Sequence, residues 1–327
     1  MPKRLLDLRS QVPLLDIASY GRPGPGHRRP LSPAEIAHAS RTARGVPEVM
    51  IKVSGGARTI RGVVAHLDYL EERADLETDD GTILTEKGLA RELLNDWDLE
   101  LDERRHHSQR GIATGRKTPK LVHNIVFSMP KGTPVDKLHK AVKKFATEKF
   151  GAQHRYAMAL HTDQGHPHVH VVVKAISERG ERLNIYKATL REWRRDFARY
   201  LRDFGVEANA TERAVRGSRH QNRKNGIYRA AARGESVFVR ERAAAVTDEL
   251  RRGGVPVDDA QSRLEDTRQK VERGWQAFAE LLERDGQRES AAQVRGFVNQ
   301  MPPARTEQQL IAERIRAATR ERAPPAR

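Results

Sequence analysis

The chain has 327 residues, no cysteine and a formal net charge of +16, a length that suits one large domain or two modest ones. The absence of cysteine excludes a disulfide framework and a thiolate metal site and suits a reducing compartment, while the positive excess favours polyanionic partners, nucleic acid first. No apolar run approaches the roughly 18 residues of a membrane span, and MPKR at the N-terminus is not followed by the apolar stretch of a secretory signal.

In chain order, residues 1–47 read as a basic, Pro/Gly-rich N-terminal tail, because YGRPGPGHRRPLSP has no sustained period. EVMIKVS, 48–54, is the first predicted strand, SGGA a turn, and a helix is predicted from Thr59 to Arg73. Residues 74–84 read as a loop or short hairpin, 85–100 as a helix and 102–119 as basic and irregular. LVHNIVFSM, 121–129, is the next strand. A helix follows it, with Thr133 expected as N-cap, Pro134 in the first turn, and Val135, Leu138, Val142 and Phe145 as its apolar stripe. Two strands, 155–161 and 168–175, then flank the turn residues TDQGHP. A short strand is predicted at 182–186, and an amphipathic helix at 187–204 is ended by Gly205. This order implies an α+β fold, an antiparallel sheet flanked by helices. The boundaries expected are a catalytic domain over 48–216, a basic linker over 217–235, and a charged helical C-terminal region over 236–327.

The chemistry concentrates in HTDQGHPHVHVVVK, 161–174. His168 and His170 are two apart and share one face of a strand. His161 ends the preceding strand, so a hairpin brings the three imidazoles to one end of a sheet. Three imidazoles can hold a metal ion and leave room for water or substrate. Asp163 lies within the same ten residues. His166 alternates with the other two, but Pro167 assigns it to the turn. His66 and His139, taken singly, read as ordinary satisfied polar residues. HPHVHVV also fits the His-φ-His-φ-His-φ-φ pattern of histidine-triad nucleotide hydrolases, so the motif alone leaves two enzymes open. A non-catalytic DNA-binding protein with a structural metal is a third reading.

Tyr69 is the nucleophile candidate. Ile60, Val63, Val64, Leu67 and Leu70 mark the apolar stripe of its helix, and Tyr69 falls nearly opposite, with Arg58, Gly62, Ala65 and His66 for neighbours. A phenol becomes a competent nucleophile when its proton is removed and the electrophile is activated, and a metal ion can polarise a phosphoryl oxygen. Residues 213–233 hold Arg213, Arg216, Arg219, Arg223, Lys224, Arg229 and Arg233 and no Asp or Glu. That run, with Arg58, is the expected DNA-backbone contact.

IKVSGGARTIRGVVAHLDYLEER, LVHNIVFSMPKGT, YAMALHTDQGHPHVHVVV and ANATERAVRG together resemble the successive motifs of conjugative relaxases. These are mobilization nucleases of the two-histidine (HUH) endonuclease class, and the likeness is greatest to T-DNA border-nicking and P-type plasmid mobilization relaxases. The resemblance covers about 48–216 and implies a strand-specific DNA transesterase that nicks at an origin of transfer through a covalent 5′-phosphotyrosine. It implies Tyr69 as nucleophile, His161, His168 and His170 as metal ligands, and Asp163 as an acidic residue that orients a histidine or assists proton transfer. It implies Mg or Mn as cofactor, although three imidazoles also accept Zn or another transition metal. Implied partners are single-stranded origin DNA, accessory relaxosome proteins, a coupling protein and a type IV secretion system. The implied location is the bacterial cytoplasm, with export alongside bound DNA. The arginine-rich end (Arg314, Arg316, Arg320, Arg322, Arg327) is similar to positively charged type IV secretion signals.

Overall fold

The computed structural model describes residues 32–86, 88, 91–110, 118–163, 165–218, 225–254 and 260–322. They fall into two compact units, one spanning Val46–Ala210, the other built from segments on both sides of it.

The first unit is an antiparallel sheet of six strands: β1 (Met50–Gly55), β2 (Leu76–Thr78), β3 (Ile83–Leu84), β4 (Val122–Ser128), β5 (Tyr156–His161) and β6 (His168–Lys174). Their spatial order is β1-β4-β6-β5-β2-β3. The expected α+β class, an antiparallel sheet with flanking helices, is the observed one. β4 and β6 are central and rich in valine, which suits strands covered on both faces. Gly56 closes β1 at φ +143°, and a Cβ there would lie 2.3 Å from the Val122 carbonyl oxygen, so only glycine allows β1 and β4 to approach at this end.

One face is covered by α5 (Val135–Lys149) and α6 (Lys187–Asp203), taking α1 (Pro33–Ala43), α2 (Ile60–Glu71), α3 (Glu92–Asp96) and α4 (Leu99–Arg110) as the earlier helices. Phe127 packs on Phe145 at 4.8 Å and on Phe197 at 5.2 Å between ring centroids, all three fully buried. Truncating one such ring costs about 3–5 kcal/mol, so this layer is the rigid support of the sheet. The other face is covered by α2, α3 and the start of α4, through Val63, Leu67, Leu70, Leu93, Trp97 and Leu99 against Ala157, Ala159 and Val172. Thr59 caps α2 by accepting from the Gly62 amide.

Four local expectations are corrected. The helix read over 85–100 starts only at Glu92, stops at Asp96 and resumes at Leu99, because Asp98 adopts φ +49° and lets Trp97 and Leu99 both turn into the core. Residues 102–110, read as irregular, are helical: Asp102 and His106 are buried, and tertiary burial overrides the polar composition. Pro134, not Thr133, is the N-cap of α5, and the Thr133 hydroxyl instead donates to the Pro130 carbonyl. Residues 182–186 form no strand; a single bridge joins Ile176 and Arg182, and Leu183 and Ile185 are used for packing.

The second unit is helical: α1, α7 (Asn225–Ala232), α8 (Val237–Arg251), α9 (Ala260–Arg284), α10 (Arg288–Asn299) and α11 (Glu307–Arg322). Within the stretch read as a tail, Ser32 and Glu35 form a reciprocal capping box that starts α1. Ala39 of that helix joins Trp275, Phe278, Leu282, Ala291 and Val294 in one core. Segment 211–218 belongs here: Trp275 Nε1 donates to the Val215 carbonyl at 2.8 Å, and Arg268 to that of Gly217 at 2.7 Å. No helix among the described residues is long and apolar enough to cross a membrane.

Candidate metal centre and nucleophile

Strand periodicity sends Val169, Val171 and Val173 into the core under α5 and α6, and His168 and His170 to the opposite face. The hairpin register then sets His161 directly across from His168, and Ala159 across from His170. The small Ala159 leaves room beside the His170 ring. Ring centroids are 5.3 Å apart for His161–His168, 4.7 Å for His161–His170 and 5.1 Å for His168–His170. One nitrogen from each lies within 4.8 Å of the others.

The environment favours neutral imidazoles. Burial, then the neighbouring His161 and His168, pushes His170 down to about 3. Burial and His168 also lower His161. Neutral rings offer lone pairs. The His168 Nδ1 lies 3.1 Å from the His166 carbonyl oxygen, so it carries the proton and donates, leaving Nε2 as the acceptor nitrogen. Nε2 of His161 and Nδ1 of His170 are buried with no partner among the described residues. Buried polar atoms are nearly always satisfied. Two orphaned imidazole nitrogens on members of a three-histidine cluster therefore fit a divalent cation. His166 stands apart, its Nδ1 accepting from the Lys131 amide. His139 has the ordinary role expected of it, its Nε2 lying 2.9 Å from Glu77 Oε2.

Tyr69 reaches this cluster from α2. Its ring centroid is 6.4 Å from that of His161, and it keeps 37% of its surface exposed, enough for a substrate to reach it. Two further side chains frame it. His66, one turn earlier, lies nearly parallel to the phenol at 6.2 Å and edge-on to His170 at 6.2 Å. Its Nε2 is buried without a partner, and burial lowers its pKa. Arg73, four residues later, covers the ring with its guanidinium carbon 4.5 Å from the centroid. Arg73 also donates to Asp163 Oδ2 at 3.1 Å. The Asp163 carboxylate thus meets a guanidinium.

Sequence reading passed over Arg73 and assigned His66 to the background. The available signal was helical spacing: positions three before and four after Tyr69 lie on its face of the helix. Of the residues expected to contact DNA, half-buried Arg58 donates to the Thr118 carbonyl. Arg213 is exposed and Arg216 partly buried, both in the helical unit. Arg219, Arg223 and Lys224 lie outside the described residues, as do 1–31 and Arg327.

Residues 69–206 match the family model described as relaxase, MobA/VirD2-like, nuclease domain. The chain is also similar to curated T-DNA border endonucleases VirD2. That of Rhizobium radiobacter is 29% identical over 194 residues, which cover 52% of this chain and 43% of that protein. Those of Rhizobium rhizogenes and Agrobacterium fabrum (strain C58 / ATCC 33970) are each 28% identical over 194 residues, covering 52% of this chain and 42% and 41% of theirs. The match therefore spans less than half the length of these relatives.

Proposed function

We propose, from the match of residues 69–206 to the MobA/VirD2-like relaxase nuclease model, that this chain is a DNA-nicking relaxase and acts as a site- and strand-specific transesterase. It would nick one strand at an origin of transfer or a border-like sequence and so initiate conjugative DNA transfer. The observation that carries the reading is the approach of Tyr69, on α2, to the histidine cluster on β5 and β6, with 6.4 Å between the Tyr69 and His161 rings.

In the proposed step, the Tyr69 phenolic oxygen attacks a backbone phosphorus. A phosphotyrosine bond forms to the 5′ phosphate and the bond to the 3′ oxygen breaks. The 3′ oxygen leaves as a hydroxyl after gaining a proton, and the phenolic proton passes to solvent at the exposed edge of the ring. The phosphodiester energy is kept in the new bond, so the strand can be rejoined. His161, His168 and His170 would hold the divalent ion, Mg or Mn as the family implies. When bound, that ion supplies charge neutralisation and polarisation at a phosphate oxygen. Asp163, paired with Arg73, would orient that guanidinium.

Single-stranded DNA is the proposed substrate, and accessory relaxosome proteins, a coupling protein and a type IV secretion system are the proposed partners. Work on cytoplasmic DNA, followed by export with the bound strand, is the proposed setting. The test is incubation of the full chain, with Mn, with a randomised single-stranded oligonucleotide library, followed by denaturing capture and sequencing. A denaturant-resistant adduct sharing one cleavage sequence is expected. Binding without any adduct would overturn the reading in favour of a non-catalytic DNA-binding protein.

A further inference from the structure

We infer that Arg73 is the phosphate-gripping residue of this site, a guanidinium held ready for the phosphodiester that Tyr69 attacks; this rests on the nicking reading above. Arg73 follows the C-terminal end of α2, where its amide bonds the Leu70 carbonyl, so the backbone beneath it is anchored. From there the side chain reaches back over Tyr69, at 4.5 Å from the ring centroid. Asp163, in the turn after β5, takes one edge of the guanidinium.

The pair does little for folding. Its side chains are 39% and 45% exposed, and ion pairs that open to water contribute almost nothing to stability. Its position is what needs a reason: a fixed positive charge on the face of Tyr69, which meets the histidine cluster. A guanidinium has five N–H donors in a planar fork that matches a phosphate. Asp163 takes a donor from one arm, which orients the plane and leaves others for an incoming strand. The ligand class is a phosphodiester oxygen adjacent to the nucleophile. A lysine would supply the charge without the fork.

Two readouts test this. In the Tyr69→Phe background, binding to a single-stranded oligothymidylate is measured against salt. Adding Arg73→Gln should reduce the slope of log K on log salt by about 0.7, the value for one lost phosphate contact on single strands. Adding Arg73→Lys should restore it. Asp163→Asn should not reduce it, because Arg73 keeps its charge. With Tyr69 intact, Arg73→Gln should slow single-turnover adduct formation at saturating library-selected DNA by about tenfold or more, with Arg73→Lys intermediate. A merely structural latch would make Asp163→Asn and Arg73→Gln alike in the salt slope, and that result, or an unchanged salt slope in Arg73→Gln, would overturn the inference. If wild-type protein forms no adduct, the nicking reading falls, while the salt slope still upholds or overturns the phosphate contact.

Discussion

Tyr69 and His161 lie 92 positions apart in the chain by their numbering, on a helix and on a strand, yet their rings are 6.4 Å apart. The helix reaches the sheet through Val63, Leu67 and Leu70, which are fully buried and fix its rotation. Tyr69 then has one direction left, towards the end of β5 and β6.

Tyr69→Phe keeps the ring and its stacking on His66 and Arg73 while removing the attacking oxygen. DNA binding should persist and the covalent adduct should vanish in a denaturing gel. A surviving adduct would transfer the role to another tyrosine. Tyr228, 63% exposed, would be tested first, because Tyr156 is buried with its hydroxyl on Thr147.

His161→Ala, His168→Ala and His170→Ala should each weaken Mn binding by calorimetry and abolish nicking. Binding to the native state alone raises stability by about 2.7 kcal/mol at a hundredfold excess over Kd. Mn should therefore raise the melting temperature of wild-type protein and leave that of the alanine variants nearly unchanged. Equal Mn-induced shifts in all four proteins would move the ion elsewhere.

Asp163→Asn should slow nicking by about tenfold or more, because an unpaired Arg73 loses its set orientation. Binding of single-stranded DNA should hold or tighten, since a negative charge beside the strand is gone. Full activity in single-turnover assays would reduce Asp163 to a solvated turn residue.

His123 gives the first unit an acid sensitivity separate from the His161–His168–His170 cluster. Burial, followed by Lys120, lowers it from 6.5 to about 4, against a smaller opposing effect of the bond to the Leu183 carbonyl. Between those values the unfolded chain binds the proton and the folded chain does not. The stabilisation is thus complete above 6.5 and is lost as pH falls towards 4. Discounted for partial exposure, the loss is about 1–2 kcal/mol. Urea unfolding at about pH 7 and about pH 5 should show it, and His123→Gln should flatten the difference. An unchanged slope in that variant would assign the sensitivity to other groups.

Replacing Arg219, Arg223 and Lys224 with glutamine should weaken binding to all DNA sequences alike and flatten the salt dependence, as phosphate contacts do. A loss confined to the selected nick-site sequence would mean base readout instead.

Local periodicity carried much of this protein. The alternation HVHVVVK determines which β6 side chains enter the core, and the turn residues between His161 and His168 determine the hairpin, so the three imidazoles were legible before any tertiary contact. The apolar stripe of α2 likewise determined that Tyr69 faces away from Val63 and Leu67. What spacing could not carry was anything requiring two distant segments. Asp102 and His106 look like solvated residues of a polar stretch until the sheet buries them. Residues 33–43, within the stretch read as a tail, form helix α1 because Ala39 finds Trp275 and Phe278 in its unit's core. Arg73 reads as an ordinary charged residue at a helix end, and Asp163 stands out in the sequence only as the acidic neighbour of the histidines. Only the sheet, by setting the end of α2 beside the β5–β6 hairpin, turns them into one ion pair over the Tyr69 ring, because a charge acquires its role from the groups within a few ångströms of it, and chain sequence does not specify that distance.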